Sequence, residues 1–122
     1  MTHVMPQEIE VWYLLPSIRK ALAKSFVHDF QLKQKDAARL LGITEAAVSQ
    51  YLKDKRGAEI NFTIAEKDRI RKTARSIIDD GKNVMKLIYD LCASFRGSKT
   101  LCCIHRKHDK SLPKNCRICL GG

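Results

Sequence analysis

Two pairs of metal-ligand residue types stand close together near the end of the chain: Cys102-x2-His105 and, ten residues further on, Cys116-x2-Cys119. Two intervening residues let both members of a pair reach one ion, and two such pairs suit tetrahedral zinc with sulfur and nitrogen ligands. Taking Cys92 in place of His105, together with Cys102 or Cys103, gives four thiolates instead, which suits zinc or an iron–sulfur cluster. All 5 cysteines fall between positions 92 and 119. An odd number in a chain expected to carry no secretory leader argues against a disulfide framework and for metal ligation or redox chemistry. Four thiolates around a divalent centre leave a net negative charge, and Arg96, Lys99, Arg106, Lys107 and Arg117 are placed to offset it. A redox dithiol at Cys116-x2-Cys119 would need a preceding strand and a following helix, and neither is expected there.

A second constellation runs from Gln34 to Lys53, QKDAARLLGITEAAVSQYLK. Ala37, Ala38 and Leu41 share one face of a first helix, which Gly42 ends because the turn needs a residue that tolerates positive φ. Ile43 points inward, and Thr44 caps the next helix through its hydroxyl. In that second helix Val48, Tyr51 and Leu52 form the buried stripe, while Glu45, Ala46, Ser49, Gln50 and Lys53 lie opposite. Two helices joined by so short a turn touch close to it, so the contact position must be small, and Ala38 is.

Ala38, Gly42 and Val48 reproduce the spacing of the helix-turn-helix in lambda-repressor-like (XRE, Cro-type) regulators, with Tyr51 standing where Ile, Val or Leu is usual. The run Leu14-Leu15-Pro16-x-Ile18-Arg19-x2-Leu22-Ala23, then Gln34, Leu41-Gly42-Ile43-Thr44, Ala47-Val48-Ser49-Gln50-Tyr51-Leu52 and Lys55-Arg56-Gly57, resembles the archaeal subgroup of that family. Members join such a domain to varied sensor regions, and some end in a cysteine cluster. The resemblance implies a transcription regulator that binds double-stranded DNA, with the second helix in the major groove. Gln50 would pair with adenine, Ser49 with several bases, Ala46 would pack on a thymine methyl, and Glu45 would accept from cytosine. Lys53, Lys55 and Arg56 would meet phosphates, as would Lys33, Lys35 and the amides near Gln34 at the first helix. Gln34 and Thr44, at the two helix starts, complete the expected DNA-binding set.

The elements that must hold these groups read as helices throughout. Pro6 with Glu8 and Glu10 opens one helix. Pro16 interrupts it and opens another, with Ile18, Leu22 and Phe26 inside, ending near His28–Phe30. Thr63 caps a helix to about Asp80, with Ile70, Ala74, Ile77 and Ile78 on one face. Asp80-Gly81 ends it. From Asn83 onward Val84, Ile88, Leu91 and Phe95 make a narrow, coiled-coil-like stripe, read as a homodimer seam because paired domains read paired half-sites. The tail beyond holds little apolar material, and metal is expected to organise it.

Charge and composition bound the function. The 122 residues carry a formal +10, of which residues 61–122 hold +8 (14 basic, 6 acidic) and residues 1–60 only +2. A basic surplus of this kind suggests a polyanionic partner. The longest uncharged stretch of the first half, Val11 to Ile18, is far short of the ~18 apolar residues of a membrane span, so no membrane partner and a cytoplasmic location are expected. No Ser/His/Asp set, phosphate-cradling glycine loop or paired catalytic carboxylates occur, so an enzyme is not expected.

The expected architecture is all-α: a DNA-binding domain over residues 1–60, a helical dimerisation or linker region over 61–98, and a Cys/His-rich metal-binding tail over 99–122. The expected function is a sequence-specific regulator whose metal centre senses redox or iron status. The alternatives are a purely structural zinc site, or a general basic nucleic-acid-binding protein. The latter would need exposed aromatics for stacking, and Trp12, Tyr13, Phe62 and Tyr89 sit mostly in apolar stripes.

Overall fold

The computed structural model describes residues 5–54, 60–96 and 98–108. Every regular element among them is helical, so the class is all-α. The elements are α1 (Pro6–Ile9), α2 (Leu15–Lys24), α3 (Gln34–Leu41), α4 (Glu45–Leu52), α5 (Ile64–Asp79), α6 (Val84–Ala93) and α7 (Lys99–His108).

Pro16 does not break the chain's first helix, contrary to the reading of two separate helices. Residues 6–29 form one continuous rod in which π turns at Glu10–Leu14 and Ser25–Asp29 flank α2. A proline inside a helix removes one amide and crowds the carbonyl four residues back. Here the wider π turn lies just upstream, with the Leu15 amide donating to the Glu10 carbonyl five residues back, and the rod passes through. The Glu8 carboxylate accepts from the Met5 amide (3.3 Å) at the start of the rod.

A single core takes side chains from every described segment. Ile9, Leu14, Ile18, Leu22 and Phe26 of the rod meet Ala37, Ala38 and Val48 of α3 and α4, Ile70, Ala74 and Ile77 of α5, then Leu91, Phe95 and Leu101. Full burial of a side chain of the Leu or Phe class contributes about 1.5–3 kcal/mol. The rod therefore serves as the central post against which α3, α4 and α5 pack.

The segment after Asn83 departs from the coiled-coil reading. The helix ends at Ala93, where Ser94 turns the chain and its hydroxyl donates to the Leu91 carbonyl (2.6 Å). Leu91 and Phe95 are buried in the chain's own core, and Val84 and Ile88 pack against it. The stripe is thus taken up inside the chain, and the exposed apolar residues of α6 are Met85 and Tyr89.

Residues 99–108, expected within a metal-organised tail, form helix α7. The Ser98 hydroxyl accepts from the Leu101 amide (3.1 Å) at its start. Leu101 and His105, one turn apart, are buried, and α7 packs against α1 and the first π turn. The signal was the spacing Leu101, Ile104, His105, which matches a helical stripe as well as it matches a ligand knuckle.

Among the described residues no helix is long and apolar enough to cross a membrane.

Candidate nucleic-acid interface and cysteine cluster

The α3–α4 pair has the boundaries and caps its sequence dictates. Gly42 adopts the left-handed conformation (φ +68°), which ends α3 without steric cost. The Thr44 hydroxyl accepts from the Ala47 amide (3.1 Å) and starts α4. Ala37, Ala38 and Leu41 of α3, and Ala47, Val48 and Tyr51 of α4, face the core. Tyr51 is buried, and Leu52 is half-buried beside it.

What remains outside is the other face. Thr44, Glu45, Ala46, Gln50 and Lys53 are exposed and Ser49 is half-buried. Lys33, Gln34 and Lys35, at the start of α3, are also exposed. Lys55 and Arg56 lie outside the described residues.

Electrostatics separate the lysines into two groups. Lys20 and Lys24 of α2 converge on Asp54, just past α4, at 2.7 and 2.8 Å. Hydrogen bonds from Lys20 and Lys24 hold the Asp54 carboxyl down at about 2. Asp54 also has a positive φ (57°), at the point where α4 is tied to α2. This tie had no signal in the sequence, because its partners are 30 or more positions away. Lys33, Lys35 and Lys53, by contrast, form no ion pair with any described residue.

The cysteine cluster is only partly within the described residues. Cys92 lies on α6, while Cys102 and Cys103 are on α7, half-buried and exposed respectively. Cys102 and His105 stand one turn apart on α7, but His105 is buried in the core at 2% exposure. Cys116 and Cys119 lie outside the described residues. Among the described residues no group of three or more His, Cys, Asp or Glu side chains is gathered around one point. The residues around Cys92 are Glu10, Arg19 and Arg96; burial, aided by Glu10, pushes its thiol up to about 11 against the pull of the two arginines. That favours the neutral thiol over the thiolate a metal needs.

Comparison with protein-family models, curated proteins and solved structures finds no match.

Proposed function

We propose that the chain is a sequence-specific, double-stranded-DNA-binding transcription regulator that acts as a homodimer, paired through a surface other than the Val84–Phe95 stripe, which its own core takes up. The observation that carries this reading is the outward face of α3 and α4. Ala46, Gln50 and Lys53 are exposed on α4 and just past its end, with Ser49 half-buried, and Lys33 and Lys35 are exposed at the start of α3; no described residue neutralises the three lysines. A side chain such as Gln50 is not needed for packing, and uncompensated lysines on the same pair of helices suit a division between groups that read bases and groups that meet phosphates. The +10 charge supports a polyanionic partner, and the resemblance to XRE-type regulators supports DNA.

Selection of bound duplexes from a random-sequence pool, followed by band shifts, tests it. The expected result is a two-fold-symmetric site with half-sites about one helical turn apart, preferred over bulk DNA. Equal affinity for all duplexes would point to a general basic binder, and no binding at low salt would end the reading.

We further propose that Cys116 and Cys119, together with Cys102 or Cys103 and with His105 or Cys92, hold zinc or an iron–sulfur cluster. The clustering of all 5 cysteines beyond position 91 and the basic residues around them support it. An absorption spectrum of anaerobically purified protein, with iron and zinc counted on the same sample, decides between the two. A brown protein with iron makes the centre a redox or iron sensor. A colourless protein with about one zinc per chain makes it structural. Neither metal bound at the thiols refutes the assignment.

A further inference from the structure

A groove of about 540 Å³ runs between the rod and α6 and reaches the end of α3. This volume falls within the ~300–1,000 Å³ typical of small-molecule sites. Leu15, Leu40, Ile88 and Met85 give it apolar walls, and Glu10, Arg19, Arg39 and Arg96 supply its charges.

The charges do not cancel. Arg96 is held by Glu10 at 3.0 Å and lies over the Tyr89 ring, 5.7 Å from its centre. Arg39 pairs with Asp36 at 3.5 Å. Arg19 forms no ion pair with any described residue. One guanidinium is therefore left over at the Cys92 end of the groove, next to a length of exposed hydrocarbon. Such a site asks for one anionic group attached to an apolar body. A guanidinium matches a carboxylate with two parallel hydrogen bonds, and partial removal from water strengthens that pairing.

We propose that this groove binds a small amphipathic monocarboxylate, with its head on Arg19 and its alkyl or aryl body against Leu15, Leu40, Ile88 and Met85. The groove is also lined by Arg39, Leu41 and Gly42, the end of α3 and the turn into α4. On the opposite side, a methyl group added at Gly81 would lie 3.9 Å from Leu40, so the α5–α6 turn already abuts α3 there. A bound carboxylate bridges α6, the rod and the α3–α4 turn, and so biases where α4 sits. The regulatory consequence rests on the DNA-binding reading; the binding site itself does not.

Calorimetric titration of the full chain with decanoate, and separately with the uncharged decanamide, tests the site without DNA. Decanoate should bind one per chain, about tenfold or more tighter than decanamide. Arg19→Gln should remove that preference. Met85→Glu, at a side chain 87% exposed and free to change without unfolding the protein, should abolish decanoate binding while leaving the melting curve unchanged. No binding at millimolar decanoate, equal binding of the amide, or an unaffected Arg19→Gln variant overturns the proposal. So does sedimentation showing that self-association excludes the ligand, since a second copy then occupies the groove. If decanoate binds and no duplex does, the groove stands and the DNA-binding reading falls. If both bind, decanoate should shift the duplex affinity of the native chain and leave that of Arg19→Gln unmoved.

Discussion

The hydroxyl of Thr100 lies 2.9 Å from both carboxylate oxygens of Glu66, and its hydrogen joins α7 to the first turn of α5. The same carboxylate accepts from the Thr63 amide (2.9 Å), and the Thr63 hydroxyl accepts from the Glu66 amide (3.1 Å), closing a capping box. One buried acid thus serves a helix start and a tertiary contact together. Glu66→Ala should lower unfolding free energy by about 1–3 kcal/mol, and Thr100→Ala by about 1 kcal/mol. A double-mutant cycle in urea should show the two losses to be non-additive, and full additivity would mean that the pair is not coupled.

Gly42 ends α3 at φ +68°, and a methyl group there would meet nothing within 4 Å. The cost of a side chain is therefore backbone strain alone. Gly42→Ala should destabilise by about 1 kcal/mol, and Gly42→Asn by less, because asparagine tolerates the left-handed region. Equal melting temperatures for all three would show that the turn does not depend on that conformation.

Asp54 carries its charge more readily in the folded chain than in the unfolded one, since Lys20 and Lys24 hold its carboxyl at about 2 rather than 3.8. A lowered folded value means stability that is present above the unfolded value and lost as pH falls through the folded one. The native chain should lose stability between pH ~4 and ~2, and Asp54→Asn should lose less over the same window. Asp68, held down by Lys72 and Arg71, contributes in the same direction, so the curve flattens without becoming level. Added salt should shrink the difference, as both acids are open to solvent. Acid titrations monitored by circular dichroism report both.

On the proposed DNA-binding reading, Gln50 reads a base and Lys53 anchors a phosphate. Gln50→Ala should cost about 1–3 kcal/mol at one base pair of the selected site and little on bulk DNA. Lys53→Ala should weaken all duplexes alike and reduce the salt slope by about one. Identical behaviour of the two variants in band shifts would remove the assignment.

Ser17 buries its hydroxyl in the rod with no hydrogen-bond partner among the described residues. The unfolded chain hydrates that group, so folding bears its desolvation uncompensated. Ser17→Ala should raise stability by up to about 1 kcal/mol, and a melting temperature that drops would reveal a partner for the hydroxyl.

The sequence was most legible where the deciding interactions are local. The bounds of α3 and α4, the Gly42 and Thr44 caps and the inward stripe of Ala38, Val48 and Tyr51 depend on neighbours within one turn, and periodicity with capping chemistry specifies them. The start of α5 at Thr63 is legible for the same reason. Pro16 misled because a proline's effect depends on whether the helix upstream can widen, and nothing in the residue types announces a π turn. The Val84–Phe95 stripe was legible as apolar but not as inward, since a helix face shows what it must bury and not which partner buries it. Asp54 with Lys20, Glu66 with Thr100, and Arg96 with Glu10, 86 positions apart, exist only once the topology is fixed. The α7 stretch was ambiguous in itself: three residues apart is both a helical turn and a ligand spacing.

Because α7 packs against α1 and the π turn that follows it, residues 6–14 complete their packing only after residues 99–108 have been made. Ile9 and Leu14 share their core with Leu101, and that core stays incomplete on one side while the intervening residues emerge. At ribosomal speeds this interval lasts roughly 5–20 s, long compared with helix formation and with the collapse of a small chain. Over that interval the apolar side chains of residues 6–14 stay partly uncovered, a target for chaperones that hold apolar stretches. A translation product that stops before α7 keeps that segment uncovered and should be the form cleared by proteases.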